Sequence, residues 1–156
     1  MKLLLLSFFV SLSAFATMPD FPQGPDARLT TGSLCDMPTE YRYPEHIAYC
    51  ERNVDTSTKN DIFVAYRKLG YRLPSQTRAD YKIDHYIPLC MGGANHTNNL
   101  WPQHVTIYKQ TDSLEEAICA KMNEGKIHQA DAVKMMKAVK NNLSLLKQAF
   151  AQLNAL

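Results

Sequence analysis

Asp84-His85-Tyr86-Ile87-Pro88-Leu89-Cys90-Met91-Gly92-Gly93, continued by Asn98-Asn99-Leu100-Trp101-Pro102, is the stretch from which the rest of the chain can be read. It sets a carboxylate and an imidazole side by side, ahead of a glycine pair that permits a turn other residues resist. Tyr81, Ile83 and Tyr86 are β-formers and Pro88 ends the run, so a short strand is predicted over residues 81–87. Leu100-Trp101 opens a second short apolar piece. From about Gln103 the apolar spacing turns helical through Ile107, Thr111, Leu114, Ile118 and Met122, and Gly125 supplies a C-terminal stop.

Outward from this centre the chain is less specific. Residues 17–44 are rich in Pro, Gly, Asp and Thr with little periodicity, which predicts an extended, irregular arm. Ile62, Phe63, Tyr66 and Leu69 fall at helical spacing before Gly70, predicting a helix over residues 58–69. Met136, Val139, Leu143, Leu146, Phe150 and Leu153 predict one final helix within residues 128–154. Their three-four alternation suits a coiled-coil seam, but a terminal helix packed on the core gives the same pattern and is the reading preferred here, with a monomer favoured.

The first 16 residues carry one cation, Lys2, then the apolar run from Leu3 to Leu12, and end Ala14-Phe15-Ala16. This is the pattern of a secretory signal peptide, and the run falls short of the roughly 20 apolar residues that span a bilayer. An exported protein without a membrane span, periplasmic or secreted, is therefore expected. The 140 residues that remain suit one domain over residues 17–156. Cys35, Cys50, Cys90 and Cys119 are an even number in an oxidising compartment, so up to two disulfides are expected, with three connectivities open.

The net charge of +2 hides an uneven distribution. Residues 17–65 hold four basic and eight acidic side chains, whereas residues 66–109 hold six basic and two acidic ones. The positive segment contains the motif, and such potential favours a polyanion. A segment this modest is more often a solvated patch, so charge alone does not decide the function.

Taken together, Ile83-Asp84-His85, Ile87-Pro88-Leu89, Gly92-Gly93 and Asn99-Leu100-Trp101-Pro102 resemble the HNH nucleases of the ββα-metal superfamily. The resemblance is strong over residues 80–103 and looser over 49–70 and 111–131. It implies an α+β fold with a ββα-metal core over residues 80–124, flanking helices and an irregular N-terminal arm. It also implies one divalent metal ion, Mg²⁺ first, with Mn²⁺ and Zn²⁺ as alternatives, and a nucleic-acid substrate, DNA before RNA. Cleavage in the family leaves a 5′-phosphate and a 3′-hydroxyl.

The chemistry suits these residue types independently. Phosphodiester hydrolysis needs an activated water, charge neutralisation at the phosphorane and help for the departing oxygen. His85 suits the first task as a general base near neutral pH, and Asp84 suits a hard metal ion. Neighbours on a regular strand face opposite ways, so joint action requires the strand to end or twist at this pair. By the resemblance, Asn99 bonds backbone across the loop to hold His85, while Asn95 and Asn98 read as turn residues.

The family's usual last metal ligand falls on Tyr108, a poor ligand for Mg²⁺. Asp112 is the preferred substitute, although Asp112 with Glu115 also spells a helix N-terminal capping box. His104 reads as a phosphate or leaving-group contact; it stands about 12 Å from Asp112 along a helix, too far for both to hold one metal. Arg72, Arg78, Lys82 and Lys109 are candidates for backbone phosphate contacts, with no element for reading base sequence. Trp101 reads as core, and His96, His46 and His128 carry no signal. A Cys90–Cys119 disulfide would brace the site. The alternative to an endonuclease is an HNH-fold binding module with an incomplete metal site, to which the tyrosine at position 108 points.

Overall fold

The computed structural model describes residues 19–75 and 78–156, so the expected signal peptide lies outside the described residues. The fold is α+β, and its organising unit is a hairpin followed directly by a helix. Strands β3 (Tyr81–His85) and β4 (Leu100–His104) pair antiparallel, with Asp84 opposite Trp101 and His85 opposite Leu100. Helix α2 (Val105–Asn123) begins at the next residue. The sequence puts the helix onset at about Gln103, but Gln103 and His104 are strand residues. His104 then caps the helix, its Nδ1 accepting from the Thr106 N–H at 3.3 Å.

The 14 residues joining the strands run through two short 3₁₀ turns, Leu89–Met91 and Thr97–Asn99. Gly92 has φ +78°, the left-handed region, and a Cβ on Gly93 would stand 1.8 Å from the Ile87 carbonyl oxygen. Both glycines are therefore dictated by the path of the loop rather than by a general need for flexibility. The disulfide Cys90–Cys119 ties this loop to α2, and Cys35–Cys50 ties the arm to the body.

Helix α1 (Thr56–Lys68) starts at Asp55, whose carboxylate accepts the Thr58 N–H at 2.7 Å. It closes one apolar cluster with the hairpin, made by Ile62, Phe63, Tyr66, Ile83, Leu100, Trp101 and Ile107. A second cluster lies on the other side, where Met91, Leu114, Ile118 and Met122 meet Met136, Val139 and Leu153.

Two predicted elements differ. The arm is not wholly irregular: β1 (Glu40–Arg42) lies within it and pairs antiparallel with β2 (Ile47–Tyr49), and Leu34 bridges to Gly93. Tyr43 and His46 take positive φ in the turn, a signal that no glycine announces. The single terminal helix is two, α3 (Gln129–Asn141) and α4 (Leu146–Asn154). Asn142 leaves helical geometry at φ −150°, and its side chain accepts from the Ser144 N–H instead. A break there rules out a continuous coiled-coil seam. The apolar face of α3 and α4 is spent on α2, as the core-packed reading expects.

Candidate active site

The alternation of a regular strand decides what Asp84 and His85 can do together. β3 stays regular through His85, and the two side chains find separate partners. Asp84 belongs with Lys82 on the face covered by α2, and His85 belongs to the loop side.

On the loop side, Asn99 is fully buried and satisfies three backbone groups across the loop. Its Oδ1 accepts the Ile87 N–H at 2.8 Å, and its Nδ2 donates to the carbonyls of Ile87 at 2.9 Å and Ala94 at 2.8 Å. The loop so held carries Asn95 to His85. Asn95 Nδ2 donates to the Glu51 carbonyl at 2.8 Å, and its Oδ1 accepts the Asn53 N–H at 3.2 Å, which fixes the amide orientation. That same Oδ1 lies 3.1 Å from His85 Nε2, so Nε2 carries the proton and Nδ1 the lone pair. Burial pushes the His85 pKa down to about 4, with Asn95 and the Asp84 charge opposing the shift and Arg52 and Lys140 adding to it. His85 is only 3% exposed.

Two clefts meet at Arg52; His85 lines neither, and the smaller of them is cationic. Arg52 donates to the Ile83 carbonyl at 3.2 Å and lines both clefts. One, about 450 Å³, is shared with Asn95, Asn53 and His96, whose Nε2 bonds Asp36 at 3.0 Å. The other, about 280 Å³, is lined by Arg52, Lys59, Arg78 and Lys82 with Phe63 and Tyr81. Arg78 lies over the Phe63 ring at 4.2 Å and donates to Asn60 at 2.7 Å. Among the described residues Arg52, Lys59 and Arg78 take part in no ion pair, so their charge is available to an anion.

The α2 face is closed by lysines. Lys140 of α3, with 0% of its side chain exposed, donates to Asp84 Oδ2 at 2.8 Å and to the His85 carbonyl at 2.5 Å. Its ammonium also stands 3.8 Å from Glu115 Oε2. Lys82 Nζ lies 2.7 Å from Asp112 Oδ1 and 3.5 Å from Asp84 Oδ1. Each oxygen of Asp84 therefore faces an ammonium. Burial disfavours the Asp84 charge, but Lys140 and Lys82 outweigh it and hold the pKa below the ordinary carboxylate value. Glu115 goes the other way, pushed up to about 7 by burial against the pull of Lys140.

The expected pair of metal ligands, Asp84 and Asp112, is thus brought together only through Lys82. Among the described residues no three His, Cys, Asp or Glu side chains are grouped to hold a metal ion. The donor set at Asp84 does not fit a divalent cation, because both carboxylate oxygens are already paired with ammoniums. Asp112 lies in the middle of α2, so it caps nothing, and Tyr108 stacks under Lys82 at 5.0 Å.

Other expected contacts scatter. His104 stacks on Phe21 at 4.1 Å, at the end of β4 remote from His85 in register. Arg72 pairs with Asp20 at 3.3 Å on the exposed surface. Lys109 is exposed and lines neither of the clefts at Arg52. Trp101 is fully buried, which leaves no face for a nucleic-acid base.

Sequence reading gives no site role to Arg52, Asn95, Glu115 or Lys140, taking Asn95 for a turn residue and Glu115 for part of a capping box. Only Lys140 carries a signal, since it stands four residues after Met136 on the buried face of α3, where a cation is out of place. Among the described residues no helix is long and apolar enough to cross a membrane. Comparison with protein-family models, with curated proteins and with solved structures gives no match.

Proposed function

We propose that the chain is an exported nucleic-acid phosphodiesterase of the HNH type, with His85 as general base and little sequence preference. The observation that carries the reading is the fixed tautomer of His85. Asn95 holds the proton on Nε2, so Nδ1 is the basic atom, and the depressed pKa keeps it unprotonated throughout the neutral range. Nδ1 takes a proton from water as the water oxygen bonds phosphorus, and the P–O bond to the leaving oxygen breaks with that oxygen taking a proton from solvent. Arg52, close enough to depress the His85 pKa, supplies positive charge where it builds on the phosphorane oxygens. The groove of Arg52, Lys59, Arg78 and Lys82 holds the phosphate backbone, which carries no sequence information. Two disulfides suit an exported protein.

The test is cleavage of plasmid DNA and of RNA by the mature chain and its His85→Ala variant, each with Mg²⁺, Mn²⁺, Zn²⁺ or EDTA. Cleavage by the wild type, lost in the variant, is expected, with an acid limb of kcat/KM near pH 4 rather than 6.5. The absence of cleavage by folded wild-type protein in every lane overturns the reading. A second reading, a nucleic-acid binding module, is favoured by the burial of His85 at 3% exposure. Salt-sensitive binding without turnover in the same lanes would establish it.

A further inference from the structure

We propose that the Lys140 ammonium is the resident cation of the space between β3 and α2, so that Asp84 and Glu115 serve it as counter-ions and take up no divalent metal while it is there. The proposal concerns the ion at Asp84 and stands apart from whether the chain cleaves nucleic acid.

Three observations carry it. First, Lys140 is completely buried, yet its ammonium reaches the Asp84 carboxylate at 2.8 Å, the His85 carbonyl at 2.5 Å and the Glu115 carboxylate at 3.8 Å. An ammonium has three donors, and here three oxygens from β3 and α2 surround it, as oxygens surround a hard cation. Second, Lys82 takes the other oxygen of Asp84 at 3.5 Å and joins Asp112 to it at 2.7 Å. The carboxylate that would have to coordinate a metal is flanked on both oxygens. Third, the charges are nearly balanced. Asp84, Asp112 and Glu115 face Lys82 and Lys140, which leaves an excess of one negative charge. A divalent ion entering beside Asp84 would sit against an ammonium with 0% of its side chain exposed, and the two cations would repel each other.

Replacing the ammonium by an unbranched apolar side chain one atom shorter should therefore turn a closed ion cluster into a divalent-cation site. Lys140→Met leaves Asp84 and Glu115 facing one space, with Lys82 the one ammonium still beside Asp84 among the described residues. Mn²⁺ is the probe, read by paramagnetic broadening of backbone amide signals and by the thermal midpoint, neither of which depends on nuclease activity. In the wild-type mature chain, millimolar Mn²⁺ should leave the amides of Asp84, His85 and Glu115 unbroadened and the midpoint unchanged. In Lys140→Met it should broaden those amides and raise the midpoint, with at least tenfold tighter binding than to the wild type. Lys140→Met/Asp84→Asn should lose the gain.

Folding of Lys140→Met only in the presence of Mn²⁺ would support the proposal equally. Mn²⁺ broadening centred on Asp84 in the wild type overturns it whatever the variants do, and so does a folded Lys140→Met that gains no Mn²⁺ binding. Failure of the cleavage assay above would leave these outcomes untouched, and Mn²⁺ binding at Asp84 would leave the role of His85 untouched.

Discussion

Asp84 and His85 are consecutive residues of one strand, and the two faces they serve could hardly differ more. On the α2 side a carboxylate is locked between two ammoniums beneath a third helix. On the loop side an imidazole is held in one tautomer by an amide, near a groove in which Arg52, Lys59 and Arg78 are in no ion pair among the described residues, although Lys82, which also lines it, is paired with Asp84 and Asp112. Both faces are buried and charged, but one is satisfied internally and the other leaves a basic nitrogen and cations to be used. Charge paired inside the fold fixes how its elements pack, whereas unpaired charge near a cleft serves chemistry or binding.

The strongest way to break the contrast is to unlock the α2 face. Lys140→Ala should cost about 3–5 kcal/mol in urea unfolding, because the buried Asp84 and the half-buried Glu115 lose their partner. Lys140→Met/Asp84→Leu, which removes the pair together, should recover most of that loss. A recovery no better than the single variant would mean that packing, not charge, sets the cost. On the loop side Asn99→Ala should cost about 3 kcal/mol, since it strands three buried backbone groups, and should also slow any His85-dependent activity.

The pH dependence of stability separates the faces by sign. His85 has a folded pKa of about 4, below its unfolded value of 6.5. The unfolded chain therefore binds its proton first, and His85 costs up to about 3 kcal/mol of stability as pH falls from 6.5 to 4. Glu115 has a folded pKa of about 7, above its ordinary 4.5, so its contribution is present below pH 4.5 and is lost as pH rises through 7. The two slopes oppose each other over pH 4.5 to 6.5, and the wild-type profile there should be flat. Urea titrations of His85→Asn should show stability falling with rising pH across this window, and those of Glu115→Gln should show it rising. Parallel profiles in the two variants would refute the assignment.

The smallest effects belong to the surface. Arg52→Gln, Lys59→Gln and Arg78→Gln should each reduce the slope of log affinity for DNA against log salt by roughly one. Arg72→Gln and Lys109→Gln should leave the slope unchanged, and Arg72→Gln should change stability by under about 0.5 kcal/mol, because its pair with Asp20 is exposed.

The motif residues themselves show how far a sequence carries. Gly92 and Gly93 mark the turn because one needs positive φ and the other has a carbonyl against its Cα. Asn99 lies 12 residues from Ile87 in the same loop, so its bonds are a property of that segment. Helix α2 follows from apolar spacing, and only its first two expected residues go to β4, where pairing with Tyr81 and Lys82 outbids helix formation. The break at Asn142 is hidden because Leu143 and Leu146 keep the helical spacing across it.

The sequence by itself determines the strand, loop, strand and helix order around Asp84 and His85, the need for both glycines, and the even set of cysteines, because each of these is a matter of local backbone geometry or composition. Tertiary structure alone decides what the two functional groups meet. Lys140 reaches Asp84 from 56 residues away, Arg52 reaches Ile83 from 31, and no local pattern records either approach. Whether a buried carboxylate waits for a cation or already has one depends on the packing of α3 against the hairpin, since a Coulomb interaction is set by distance in space and not by spacing along the chain.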